Sequence, residues 1–270
     1  MNAQIIRDMP AAEYHAIDAL SASELKAAHD SGVSWLHWRA TRNTRTETAA
    51  MRLGSLAHLA VLEPDAFARC VIAPEVNGRT NEGKATLAAF VAQCAADGLT
   101  PVNPDEHAAA CGMRDAVHSA IAIEPVTFGD WLPLADRELT ILWTGADDLP
   151  RKARFDAYGQ GAIVDLKTTR DASQRGFVRT VSDYAYHVQA AHYRAACEAA
   201  GLPFTGFVFV AVESSAPHNI GVYQLGSDTL DAGARACARA LGTIHEARSG
   251  RASSYTHGIV TIDVPWLTGE

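Results

Sequence analysis

Residues 204–213, FTGFVFVAVE, form a nearly continuous apolar run. The run lacks the polar alternation of a half-exposed strand, so it reads as a strand buried within a sheet. No stretch of eighteen apolar residues occurs anywhere, and a membrane-spanning segment is not expected. Three further segments lie upstream: ELTILWTG (138–145), ARFDAYG (153–159) and AIVDLKTT (162–169). Each is short, rich in Ile, Val, Leu and aromatic residues, and bounded by Gly, Asp or Pro, so they read as consecutive strands. NIGVYQL (219–225) adds another.

Before residue 123 the pattern is helical. SASELKAAHDSG (21–32) has Ser21 or Ser23 as a cap and Gly32 as a stop. A polar loop is expected over 39–48. MRLGSLAHLAVLEP (51–64) places Leu53, Leu56, Leu59 and Ala60 at helical spacing and stops before Pro64. NEGKATLAAFVAQCAADG (81–98) ends at Gly98, and a further helix covers roughly 104–120. Helices also follow the third strand, in SQRGFVRTVSD (173–183) and AYHVQAAHYRAACEAAG (185–201), and close the chain in 227–250. The expected fold is α/β: a central mixed sheet flanked by helices, with a helical N-terminal elaboration. Without a convincing linker, residues 1–270 read as one domain. Its parts are a mainly helical section (1–122), a core (123–225), and a C-terminal helix and tail (226–270).

The N-terminus lacks a basic start followed by an apolar stretch, so no secretory signal is expected and the reading is cytoplasmic. The five cysteines are scattered without a C-x-x-C pair, which points away from zinc and from a disulfide framework. A formal charge of −8 alone argues against a polyanionic partner. Its distribution argues otherwise. Residues 151–180 hold seven cations against three carboxylates, and residues 39–52 hold four arginines against Glu47. An acidic chain with two basic patches can still grip a polyanion.

Asp156 closes one expected strand, Asp165 lies in the next, and Lys167 follows by two. Residues i and i+2 of a strand share a face, so Asp165 and Lys167 project together, and a hairpin would bring Asp156 alongside. Two carboxylates so placed repel each other unless a cation sits between them. Oxygen donors favour Mg²⁺, with Mn²⁺ as a substitute. Such a constellation suits phosphodiester hydrolysis, with the lysine orienting water or stabilising the transition state. Spacing alone leaves open a second reading, in which Asp156 sits in a turn and Asp165–Lys167 is a surface charge pair.

The blocks LGSLAHLAVLEP, ELTILWTG, ARFDAYGQGAIVDLKTTRDAS, YHVQAAHYRAA and FVFVAVE, in that order, resemble the RecE-type exonucleases (exodeoxyribonuclease VIII-like). That family belongs to the PD-(D/E)xK nuclease superfamily and is often phage-borne. The resemblance covers roughly 20–225. It implies that His58, Asp156 and Asp165 bind metal, with the Leu166 carbonyl as a further ligand, and that Lys167 is catalytic. It also implies an acidic site residue at Glu138 and a Q-x-x-x-Y motif at Gln189 and Tyr193, which at i and i+4 share a helix face. Phe155 stands where the motif's proline would. Arg52, Arg154, Thr168 and Thr169 are candidate DNA contacts. Iron–sulfur members need clustered cysteines after the lysine motif, and only Cys197 and Cys237 lie there, far apart.

The resemblance further implies digestion of linear double-stranded DNA from 5′ to 3′, leaving 3′ single strands for recombination. A homo-oligomeric ring around DNA and a single-strand annealing protein as partner follow from the same likeness. Alternatives are an endonuclease on the same core, a catalytically silent DNA-binding module, and a structural phage protein.

Overall fold

A computed structural model describes residues 3–30 and 48–249, with Ile259 and Thr261. Gly32, most of the expected 39–48 loop and the arginines at 39, 42 and 45 lie outside the described residues.

A six-stranded mixed sheet organises the molecule. Its strands are β1 (Gln4–Ile6), β6 (Asp136–Thr144), β7 (Pro150–Gly159), β8 (Ala162–Thr169), β9 (Gly206–Glu213) and β10 (Ile220–Gln224), in that spatial order. All neighbours are antiparallel except β8 and β9, which run parallel. A parallel pair needs a long crossover. Here it contains α8 (Gln174–Asp183) and α9 (Tyr186–Ala200), the two helices expected there. The remaining elements are α1 (Ala11–Ala16), α2 (residues 22–30), α3 (Ala49–Leu62), α4 (Pro64–Phe67), α5 (Asn81–Asp97), α6 (Pro104–Ser119), α7 (Phe128–Trp131) and α10 (Ser227–Arg248). Two small ladders complete the list: β2 (Cys70–Ile72) with β3 (Thr100–Val102), and β4 (Ile121–Ile123) with β5 (Val126–Thr127).

Local chemistry accounts for the helix ends. The Ser21 backbone N–H and hydroxyl both donate to Glu24, and the Ser21 hydroxyl oxygen accepts from Ser23, a reciprocal cap at the start of α2. Thr48 accepts from the Met51 N–H to start α3. Gly98, at φ 64°, ends α5 as expected.

The sheet is buried on both faces, as the run at 204–213 demands. One face packs Ile141, Phe155, Ile163, Phe207 and Phe209 against Phe177 of α8 and Tyr193 and Cys197 of α9. The other packs Val164, Leu166, Val210 and Val212 against Ala57 and Val61 of α3, Met113 of α6 and Trp131 of α7. Aligned residues alternate between the faces along β8 and β9. On β7 the alternation breaks: Phe155 and Ala157, two apart, feed opposite cores. Asp156 lies between them, inside the strand rather than at its end.

Candidate active site

The break at Asp156 creates the site. The β6–β7 register pairs Arg137 with Ala157 and Leu139 with Phe155, and leaves Glu138 and Asp156 facing each other unpaired. Glu138 has φ 53°, in the left-handed region that non-glycine residues avoid. Such strain persists only where surrounding structure holds it, often at functional sites. The β7–β8 ladder also stops just before Asp156, at Ala157–Val164. One step further would set Asp156 opposite Asp165. The Leu166 N–H instead donates to Asp156 Oδ2 at 2.7 Å.

Five elements converge on this split: α3, β6, β7, β8 and α9. His58 of α3 lies with Nδ1 3.6 Å from Asp156 Oδ2, and the Leu166 carbonyl is its backbone hydrogen-bond partner. The donor atoms of His58, Glu138 and Asp156 all lie within 4.8 Å of one another, a group that could hold a metal ion. Beside it, Asp165 is fully buried. Its Oδ1 accepts from Gln189 Nε2 of α9 at 2.6 Å. Its Oδ2 faces the Lys167 ammonium, as an ion pair rather than a well-directed hydrogen bond. Gln189 also hydrogen-bonds Tyr193, whose ring packs 5.0 Å from that of Phe155.

Electrostatics follow from burial. Desolvation and the nearby Asp165 push the Asp156 carboxyl up to about 8. Desolvation and Asp156 push Glu138 up to about 7, against the pull of its Arg154 partner. Burial opposes the charge on Lys167, but Asp165 and Asp156 outweigh it, so its pKa is raised and the ammonium persists. Burial and the Lys167 charge lower His58, leaving a neutral imidazole able to act as a ligand.

The remaining candidates divide. Arg154 pairs with Glu138, donates to the Met9 carbonyl at 2.9 Å, and is only 10% exposed. Its guanidinium therefore belongs to the interior of the site. Arg52 is exposed and pairs with Glu106 at 3.3 Å. Thr169 forms a turn with Asp171, accepting from the Asp171 N–H at 3.3 Å. Thr168 lies under α3: a Cβ added at Gly54 would sit 3.1 Å from its Oγ1. Gly54 and His58, four apart on one helix face, thus bring α3 close to β8. Two residues escaped the sequence reading. Glu63, in the LEP run, acts electrostatically on Glu138. Tyr186, three positions before Gln189, lies with its ring centroid 4.9 Å from Lys167 Nζ. Helical spacing from Gln189 would have suggested Tyr186. A polar cavity of about 330 Å³, lined by Tyr14, Ser21, Lys26, Arg154, Gln189 and Tyr193 among others, adjoins the group.

A solved structure from Eubacterium rectale, of a protein whose name proposes an exonuclease, superposes with a TM-score of 0.61 at 12% identity. The match covers 97% of this chain and 98% of that one; at this identity the likeness is one of fold. No curated protein matches the sequence. The model of one family, described as a PDDEXK-like domain of unknown function (DUF3799), matches residues 21–260. With that match spanning strands β6 to β10 and every candidate site residue, the chain belongs to this PDDEXK-like family.

Proposed function

We propose that this protein is a divalent-metal-dependent nuclease that hydrolyses DNA phosphodiester bonds. The observation that carries the reading is the pairing of two functions at one split in the sheet. Two mutually repelling carboxylates and a neutral imidazole stand on one side, and a protonated lysine held by a buried carboxylate on the other. A cation bound by His58, Glu138 and Asp156 would offset the burial and the repulsion that raise both carboxyl groups, and carboxylate donors suit Mg²⁺ or Mn²⁺. When bound, such an ion polarises a phosphate and makes a bound water more acidic. The protein's own groups complete the arrangement. Lys167 keeps its proton and can hold a phosphoryl oxygen as negative charge develops. Asp165 aims Lys167, Gln189 fixes Asp165, and Tyr193 steadies Gln189.

As finer parts of the same proposal, the enzyme is an exonuclease that digests linear duplex DNA from 5′ to 3′. The 3′ strands it leaves would pass to a single-strand annealing protein. The motif order supports this part, and the name of the structural neighbour supports its exonuclease activity alone. The test is digestion of linear and covalently closed duplex DNA, with Mg²⁺ or EDTA, by the protein and by Lys167→Ala. Loss of the linear substrate alone, only with metal, and about 100- to 1,000-fold slower in the variant, is the expected result. Cutting of the closed circle would make the enzyme an endonuclease on the same core. No metal-dependent cutting of either would overturn the reading.

A further inference from the structure

An aromatic stack leads from the lysine to the surface. Tyr186, at the start of α9, is braced in the core by Phe209 at 5.5 Å and Phe177 at 6.4 Å between ring centroids. Two ammonium groups lie against it, Lys167 at 4.9 Å and Lys26 of α2 at 5.2 Å from its centroid. On it stacks Tyr184, with centroids 5.8 Å apart and ring planes 23° apart. Tyr184 is 62% exposed, so it is anchored through one stacked ring while most of its surface meets solvent.

The backbone fixes this display. Tyr184 caps α8, its N–H donating to the Thr180 carbonyl at 3.1 Å. Ala185 then turns the chain into α9 at φ 49°, a left-handed conformation without glycine. Ala185 is itself buried and its N–H donates to Ser182, so the turn is held rather than loose. The helix leading to Tyr184 carries exposed Arg175 and Arg179.

An exposed ring on a rigid support is common on protein surfaces. A stacked pair whose inner ring touches the lysine proposed to hold a phosphate is a different matter. A strand whose phosphate lies at Lys167 would carry its neighbouring base within reach of the outer ring. Every base has a π face, so such stacking tolerates any sequence, and it requires a base released from its pair. Resting on the nuclease reading above, we propose that Tyr184 is a positioning residue, the platform on which an unpaired base of the substrate strand stacks beside the phosphate held at Lys167. The substrate taken into the site is thus a single strand or the frayed end of a duplex.

The test places 2-aminopurine, whose fluorescence falls on stacking, at the terminal nucleotide of a single-stranded oligonucleotide. Binding is read with Ca²⁺ in place of Mg²⁺, alongside Mg²⁺-dependent digestion of unlabelled DNA. The wild-type protein should quench the probe. Tyr184→Ala and Tyr184→Leu should lose the quench and bind about tenfold more weakly, and Tyr184→Trp should restore both. In digestion, the loss in the Ala and Leu variants should fall mainly on KM. Leu keeps apolar bulk without a π face, so it separates stacking from packing. Equal quenching by wild type, Ala and Leu, or none by wild type, overturns the platform even where digestion proceeds. Tyr184-dependent quenching without digestion by any form overturns the nuclease reading and leaves the platform as a nucleotide-binding feature.

Discussion

Asp156 and Glu138 carry the sharpest residue-scale consequences. Both hold protons in the fold at a pH where the unfolded chain has lost them, with values pushed to about 8 and about 7. A raised carboxyl pKa means that the folded state binds the extra proton, so stability falls as pH rises between the unfolded and folded values. Without metal, thermal stability is therefore expected to drop as pH rises from about 4 to about 8, and added Mg²⁺ should restore it most at the alkaline end. A melting series in EDTA and in Mg²⁺ checks this, and a flat EDTA profile would contradict it. Asp156→Asn removes a buried charge together with its repulsion, so in EDTA at pH 8 its Tm should rise by about 2–4 °C, while its response to Mg²⁺ disappears. Gln189→Ala acts in the opposite direction. It strips the Gln189 donor from the buried Asp165 Oδ1, which has no other among the described residues, and should cost about 1–3 kcal/mol in urea denaturation, with lower activity.

At the scale of elements, the site depends on how closely α3 approaches β8. Gly54 permits that approach, because a Cβ there would already press on Thr168 Oγ1 at 3.1 Å. Gly54→Leu is expected to push the helix away and carry His58, one turn on, out of reach of Asp156. Overpacking of this kind costs about 1–3 kcal/mol. The expected signature is weaker Mg²⁺ stabilisation in a protein that still folds, and an unchanged response to Mg²⁺ would show that the helix position is not set there. The opposite face depends on a similar approach between α9 and α10. A Cβ on Gly233 would meet the His187 carbonyl oxygen at 2.1 Å. α9 is thus clamped between α10 and the sheet, and Gln189 and Tyr193 present fixed side chains to Asp165.

For the whole molecule, the proposal adds a homo-oligomeric ring that threads linear DNA. Basic residues near the site would line the channel while the net −8 keeps the outer surface acidic. Sedimentation velocity should then give a closed oligomer, and digestion should weaken steeply with salt as phosphate contacts are screened. A monomer at micromolar concentration would remove the ring from the proposal and leave the site intact. Among the described residues, no helix is long and apolar enough to cross a membrane.

The sequence by itself determined what short-range periodicity can encode. The helices α3, α5, α6, α8, α9 and α10 and the strands β6 to β10 stand where residue spacing placed them. The i, i+2 geometry of Asp165 and Lys167 holds because both lie on one strand. The three-residue β1 and the two small ladders were illegible, since two or three residues carry no period. Tertiary structure alone decided the rest. The broken alternation at Asp156, the left-handed Glu138 opposite it, the grip of Gln189 on Asp165 and the internal pairing of Arg154 all depend on distances between residues far apart in the chain. Ligation and pKa depend on those same distances and on burial. A sequence can therefore nominate the charged groups, but only the packed sheet sets which of them share a proton, a partner or a metal.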